Sequence, residues 1–198
     1  MTKILPFCFL ILIISRCTNH DTSPPILKSE TPTSDLVSSK EISIFKYNNS
    51  YNGAALGCEF KVTANAYITG LGCASPAIGN YTLTLFKVDT VNGIGSLVAS
   101  LPIAISSADT VGFKFKYVYL STRVKITKDN YYRVALNGDF SAYDYLAFPG
   151  GSSYALPLVS PKDSKVIFTK GVAGYAGLFP DTEYTTYMFP ADIVIQFP

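Results

Sequence analysis

The chain has few side chains able to do acid–base or nucleophilic chemistry. Its one histidine, His20, lies in a polar stretch near the N-terminus, so the rest of the chain cannot build a Ser-His-Asp triad or a histidine-bearing zinc site. A glycosidase needs two carboxylates flanking one bond, and beyond residue 42 the only glutamates are Glu59 and Glu183. The carboxylates of the loop-like segments lack the dense spacing of a calcium loop: Asp139, Asp144, Asp181 and Glu183. We therefore expect no catalytic residue, no metal site and no cofactor.

Tyrosine is the side chain best suited to ligand contact in this chain, which has 14 Tyr and 13 Phe but no Trp. A tyrosine ring combines a flat apolar face with a hydroxyl group, which suits stacking on a sugar ring or contact with a protein partner. Aromatic residues are concentrated in two turn-rich segments, 139–157 and 175–187. The alternative is that these rings fill the ends of the hydrophobic core. The candidate ligand-binding residues are Tyr143, Asp144, Tyr145, Tyr154, Tyr175 and Tyr184.

Strands must position these rings. Gly, Asn, Asp and Pro separate short runs in which apolar and polar residues alternate, and no window combines a helical period with end caps. This pattern predicts an all-β domain over residues 42–198, with about eight to ten strands in a two-layer antiparallel β-sandwich of jelly-roll or immunoglobulin-like type. The clearest alternating runs are 56–62, 81–85, 113–119 and 132–136.

Two cysteines lie in this domain, Cys58 and Cys73. If residues 56–63 and 67–73 pair as a hairpin, the two thiols face each other across the ladder, within the reach of a disulfide. An exported location would permit that bond. The alternative is two buried free thiols, because a bulge near Gly70 would shift the register by one residue.

Residues 1–16 are typical of an export signal. Lys3 provides a positive start, and the apolar run that follows is too short to cross a bilayer, which takes about 20 residues. The run ends in Ile14-Ser15-Arg16-Cys17, which resembles a bacterial lipoprotein processing site where the cysteine becomes the lipidated first residue. Arg16 departs from that pattern, and a signal cut elsewhere or an uncleaved anchor are the alternatives. We predict lipidation at Cys17 and a location at the outer membrane or cell surface, with a periplasm-facing location as the alternative.

Residues 17–41 are rich in Ser, Thr, Pro and charged residues and contain no aromatic residue. Such a stretch buries too little apolar surface to offset the entropy lost on ordering. It predicts a flexible tether between the anchor and the domain.

The charge of the chain argues against nucleic acid as a partner. Removal of Lys3 and Arg16 with the signal leaves equal numbers of basic and acidic side chains, without the basic footprint that phosphate binding needs. Two basic pairs at alternate positions are interpreted as solvated strand faces rather than a binding patch: Lys114/Lys116 and Arg123/Lys125.

The strand segments, taken in order and spacing, resemble a β-sandwich domain family of unknown function. Members of that family occur in bacterial surface and secreted proteins, and the resemblance covers about residues 45–198. It implies a fold and an extracellular setting but no catalytic residues. The matching segments are 56–62 (LGCEFKV), 68–71 (ITGL), 79–86 (GNYTLTLF), 97–100 (LVAS), 124–127 (VKIT), 132–135 (YRVA) and 191–195 (ADIVI).

Two triplets, Asp89-Thr90-Val91 and Asp109-Thr110-Val111, resemble an acceptor motif for O-glycosylation of exported proteins. Matches this short arise easily by chance. Taken together, the sequence predicts a lipid-anchored, non-catalytic binding module. Carbohydrate is the favoured ligand, and a structural or adhesive module for a surface protein partner is the alternative.

Overall fold

The fold is seen in a computed structural model that describes residues 27–40, 42–47, 50–74, 77–140, 143–147, 156–162 and 165–198. Antiparallel strands form two packed layers that do not close into a barrel, which confirms the predicted all-β sandwich. The one α-helix among the described residues, α1, spans Pro32–Ser38. The strands are β1 (Ser29–Glu30), β2 (Ser43–Tyr47), β3 (Tyr51–Val62), β4 (Ala66–Ala74), β5 (Gly79–Val88), β6 (Gly95–Ile105), β7 (Phe115–Ile126), β8 (Tyr131–Phe140), β9 (Tyr143–Ala147), β10 (Leu158–Val159), β11 (Val166–Tyr175), β12 (Thr182–Tyr184), β13 (Tyr187–Met188) and β14 (Ala191–Gln196).

The described strands belong to three sheets. The largest sheet has seven strands in the order β10-β11-β3-β8-β5-β6, with β12 added to β11. A four-stranded sheet has the order β1-β14-β4-β7, and a three-stranded sheet has the order β13-β9-β2. Four of these strands span only two or three residues, which leaves ten longer ones, in line with the predicted number.

The core lies between the seven-stranded and four-stranded sheets. Alternate residues of each strand face inward, as the sequence pattern predicts. The seven-stranded sheet contributes Phe60, Leu83, Leu85 and Phe168, and the four-stranded sheet contributes Ile68, Leu71, Ile193 and Ile195, all of them essentially without solvent exposure. Rings also pair within this core, for example Phe60 with Tyr132 at 5.8 Å.

The predicted hairpin of residues 56–63 and 67–73 is wrong. Strand β3 pairs with β8 and β11, whereas β4 pairs with β7 and β14, so the short connection between β3 and β4 crosses from one sheet to the other. Cys58 and Cys73 therefore lie on strands of different sheets, and both are buried free thiols. Alternation alone cannot tell a turn within a sheet from a crossing between sheets, because both leave the same residues facing the core.

The segment Leu27–Lys40, which composition assigns to the flexible tether, is folded in the structure. Strand β1 pairs with β14, and α1 packs against the outer face of the four-stranded sheet with Leu36 fully buried. The helix begins with Pro32, a residue suited to the first helical position. A helix of seven residues is too short to be stable alone, so its stability comes from this packing.

One carboxylate, that of Asp192 on β14, holds the segment in place. It accepts hydrogen bonds from the backbone N–H groups of Thr33 at 2.9 Å and Ser34 at 3.0 Å, and from the Tyr117 hydroxyl at 2.9 Å. A further bond comes from the N–H of Ile193 at 2.8 Å. Asp192 has no solvent exposure, so the first turn of α1 supplies donors that water cannot.

Burial raises the pKa of Asp192 to about 6, although the hydrogen bonds that it accepts act in the opposite direction. Since an unfolded aspartate has a pKa of about 3.9, the folded chain holds this proton more tightly and loses stability as pH rises through 6. We expect the free energy of unfolding of the wild type, relative to Asp192→Asn, to fall by about 2 kcal/mol between about pH 4 and about pH 7. Urea unfolding of both chains at the two pH values measures this change, and a difference that stays constant would contradict it.

Candidate functional site

A cavity of about 490 Å³ opens beside the first half of β3. The start of β3, the end of β11 and the short strands β12 and β13 form its walls. Four tyrosines and two neutral polar residues line it, with Leu56 and Phe189 among its apolar residues. The tyrosines are Tyr51, Tyr175, Tyr184 and Tyr187, and the polar residues are Asn52 and Thr182.

The aromatic rings of the cavity form a fixed cluster. Tyr184 and Tyr187 are stacked with their ring centroids 4.5 Å apart and their planes inclined by 29°. Phe189 meets both rings edge-on, at 6.0 Å from Tyr184 and 5.7 Å from Tyr187. Tyr51 and Tyr175 are instead exposed, by 47% and 77%. The cavity thus combines a packed aromatic wall with two accessible rings.

A buried arginine positions the chain that carries Tyr175 and Tyr184. Arg133 lies on the outer face of the seven-stranded sheet, where its Nε donates to Glu59 Oε2 at 2.8 Å. The same guanidinium bonds the Pro180 carbonyl and Glu183, and it lies 4.6 Å from the centre of the Phe179 ring. The turn between β11 and β12 is therefore held down over the sheet by an ion pair, a backbone bond and a cation–π contact.

Backbone contacts complete the attachment of this turn. The N–H of Ala176 donates to the Gly53 carbonyl at 2.7 Å, and the N–H of Gly177 donates to Asn137 Oδ1 at 3.1 Å. Gly53 has a φ of +63°, a conformation that favours glycine. At Gly174 a Cβ atom would lie only 2.8 Å from the Cα of Pro180, so glycine is needed for the close approach.

Two of the six predicted ligand-binding residues, Tyr175 and Tyr184, line the cavity. Tyr143, Asp144 and Tyr145 lie on β9, in the three-stranded sheet, where Ala147 at the end of the strand pairs with Tyr187. Tyr154 lies outside the described residues.

Sequence reasoning missed Tyr51, Asn52, Thr182 and Phe189, and it placed Tyr187 in the aromatic-rich segment 175–187 without choosing it as a candidate. The cavity forms where β3 and β11 lie side by side, and Tyr175 is the direct partner of Ala54 in that pairing. Residues more than a hundred positions apart thus meet through sheet order, which local patterns do not reveal. Aromatic density around position 184 was a usable signal for Tyr187, whereas Tyr51 has no local signal.

The carboxylates considered for acid–base chemistry are engaged in ion pairs. Glu59 is buried and receives hydrogen bonds from Arg133 and from the Thr169 hydroxyl at 2.8 Å. Partial burial would raise the pKa of Glu183, but the hydrogen bond from Lys170 and the charge of Arg133 outweigh it and lower that pKa. With Arg133 between them, Glu59 and Glu183 form a charge network that stabilises the turn.

The surroundings of the two cysteines disfavour the thiolate form. Burial raises the pKa of the Cys58 thiol well above its usual range, and the nearby charges of Asp192 and Glu59 raise it further. Burial also raises the pKa of Cys73 to about 12. Since the thiolate is the reactive form, both side chains act as small apolar residues of the core.

The two threonines of the acceptor-like triplets, Thr90 and Thr110, are exposed in the turn after β5 and in the 3-10 helix Ser107–Thr110. Their glycosylation stays a prediction. Across the described residues, no three of His, Cys, Asp or Glu come together as metal ligands. Nor does the described part of the chain contain a helix long and apolar enough to cross a membrane.

Comparison with protein-family models and with curated proteins finds no match for this chain. The resemblance to an extracellular β-sandwich family therefore stays a prediction. The functional argument rests on the cavity and on the distribution of charge.

Truncation of rings around the cavity should separate exposed residues from structural ones. We expect Tyr175→Ala to change the free energy of unfolding by less than about 0.5 kcal/mol, because the side chain is largely in solvent. Phe189 is 3% exposed and belongs to the core, so Phe189→Ala should cost about 3–5 kcal/mol. Denaturant unfolding measures both effects. Similar losses of stability for the two variants would contradict the distinction between an exposed Tyr175 and a core Phe189.

Proposed function

We propose that this protein is an exported, lipid-anchored surface protein that binds a carbohydrate without catalysis. The observation that supports this function best is the cavity with four tyrosines and no charged side chain among its described lining residues. Its volume of about 490 Å³ lies within the usual range of small-molecule sites.

The chemistry of the lining suits a neutral polyhydroxyl ligand. Tyrosine hydroxyls, the Asn52 amide and the Thr182 hydroxyl offer hydrogen-bond donors and acceptors without a formal charge. A charged ligand would lose its hydration here without gaining an opposite charge. The faces of sugar rings carry C–H groups, which pack well on the exposed rings of Tyr51 and Tyr175.

The fixed arrangement of the residues around the cavity agrees with a binding role. Tyr175 and Tyr184 flank a turn that Arg133 and the Asn137 side chain fix to the sheet, so this part of the site is formed before a ligand arrives. A site of this kind avoids part of the ordering cost of binding. No described lining residue is an acid or base of the kind that glycoside hydrolysis requires, which supports binding rather than turnover.

A second candidate, binding of a surface protein, is favoured by a separate apolar area. Leu97 and Leu178 are 58% and 61% exposed on the outer side of the seven-stranded sheet. Leu97 pairs with Phe86, and the Phe86 ring packs against Phe179 at 5.6 Å. Exposed apolar residues grouped in this way are typical of a protein contact.

A glycan array probed with the full chain tests the carbohydrate proposal. Tyr175→Ala and Tyr184→Ala should each weaken binding to the recognised sugar by about tenfold or more, since a tyrosine ring in a binding site commonly contributes over 1 kcal/mol. Tyr119→Ala is the matched control, because Tyr119 is 68% exposed on the four-stranded sheet and does not line the cavity.

Three outcomes count against the proposal in different ways. If no sugar binds, or if Tyr119→Ala weakens binding as much as Tyr175→Ala, the cavity is not a glycan site. If sugar binding survives both cavity variants and is lost in Leu97→Ser or Leu178→Ser, the ligand uses the apolar area instead. If the chain hydrolyses a bound sugar, the non-catalytic part of the proposal fails.

A further inference from the structure

Several turns and strand ends meet at the end of the sandwich opposite the cavity. The cavity lies beside Tyr51 at the start of β3, and Lys61 lies ten residues further along that strand, a distance of about 30 Å. The turn from Thr63 to Asn65 connects β3 to β4 at this end, and the turn between β7 and β8 is bonded to it. The N–H of Lys128 donates to Asn65 Oδ1 at 2.9 Å.

Basic side chains are concentrated at this end of the molecule. We call it the basic end, and its defining residues are Lys61, Arg123, Lys125, Lys128 and Lys165. Within the described residues, ion pairing there is limited to Lys128 and Asp129, at 3.9 Å between two largely exposed side chains. The basic pair Arg123/Lys125 on β7 is thus one part of a larger cluster, whose other members lie on β3, in the β7–β8 turn and directly before β11.

Aromatic rings lie beneath three of these cations. The Arg123 guanidinium is 4.1 Å from the centre of the Tyr67 ring. Lys165 lies 4.8 Å from the Phe197 ring, and Lys61 lies 5.5 Å from the Tyr131 ring. Rings beside basic side chains are the combination found where proteins meet the headgroup layer of a membrane.

The hairpin between β5 and β6 adds exposed apolar residues at the same end, because Lys87 at the end of β5 is aligned with Tyr132 at the start of β8. Val91 is 88% exposed and Ile94 is 66% exposed, and both lie at the tip of this hairpin. Transfer of large aliphatic side chains to the boundary of an acyl layer is favourable, because it removes their apolar surface from water.

The chain also enters the fold at the basic end. Strand β1 pairs with the last residues of β14, and the Gln196 side chain donates to the Ser29 hydroxyl at 2.9 Å. Nine residues lie between Cys17 and Leu27, so a fully extended chain would span at most about 35 Å from one to the other. A lipid on Cys17 would therefore hold the basic end close to the bilayer surface.

We propose that the basic end docks on an anionic phospholipid bilayer, with Arg123 and Lys125 facing lipid phosphates and the cavity facing away from the membrane. This inference rests on the lipid anchor of the proposed function but not on its carbohydrate ligand. Beyond residue 16 the chain has equal numbers of basic and acidic side chains. The attraction therefore arises from the local excess of the five cations of the basic end over Asp89 and Asp129, the exposed carboxylates described beside them. Docking then fixes an orientation that a single lipid anchor alone does not set.

Flotation of the full chain with vesicles tests this docking. The wild type is compared on phosphatidylcholine vesicles and on vesicles of phosphatidylcholine mixed with phosphatidylglycerol. A lysine or arginine near an anionic surface contributes about a fivefold gain in binding, so Arg123→Gln/Lys125→Gln should weaken binding to the anionic vesicles by about twentyfold. Raised salt should reduce the wild-type preference for anionic vesicles, because it screens exposed charges.

The matched control removes the same charge elsewhere. Lys40→Gln/Lys114→Gln changes two exposed lysines away from the basic end and should bind anionic vesicles as the wild type does. Every chain compared carries the same residues 1–26, so any contribution of a lipid cancels. Equal binding of the wild type to both vesicle types would overturn the docking, as would equal losses in the two double variants. Neither result would bear on sugar binding, and sugar binding could fail without affecting this test.

Discussion

The cavity depends on the buried guanidinium of Arg133. This side chain lies on the outer face of the seven-stranded sheet, which the alternation of apolar and polar residues predicts to be polar. Arg133 is 3% exposed, and burial of a lone charge there would be strongly unfavourable. Glu59, Glu183 and the Pro180 carbonyl neutralise and bond it, and two of these three partners belong to the segment that carries the cavity tyrosines. Loss of one partner leaves the charge uncompensated, so sheet and segment are coupled.

Asp192 does on the four-stranded sheet what Arg133 does on the seven-stranded sheet. Each places a charged side chain on an outward-facing strand position and recruits a segment that covers it: α1 for Asp192 and the turn before β12 for Arg133. Glycine makes the second approach possible, since a Cβ on Gly95 would lie 2.0 Å from the Phe179 ring. The sandwich thus has a covered outer surface on both sides, and the covering segments lead to the two features linked to function, the cavity and the chain entry.

The sequence predicted the parts of this structure that depend on local alternation, and it missed those that depend on partners far along the chain. Strands such as 81–85 and 132–136 were predicted because one buried face imposes a period of two. Helix α1 was missed because its stability comes from Asp192, more than 150 residues away, and not from its own composition. For the same reason Tyr184 could be identified within an aromatic-rich segment, whereas Tyr51 could not.

The distribution of charge over the surface also depends on partners far along the chain, so it could not be predicted from local patterns. The sequence gives no sign of a basic surface, because basic and acidic residues balance and the basic pairs fit solvated strand faces. Strand order then brings Lys61 on β3, Arg123 on β7 and Lys165, directly before β11, to one end. The cations of that end outnumber its exposed carboxylates, Asp89 and Asp129, while Asp139 and Glu183 lie towards the cavity. A chain with balanced charge therefore folds into a domain whose two ends differ in charge. Since the same topology also places the chain entry beside the cations, the charge separation and the point of attachment have a common structural cause.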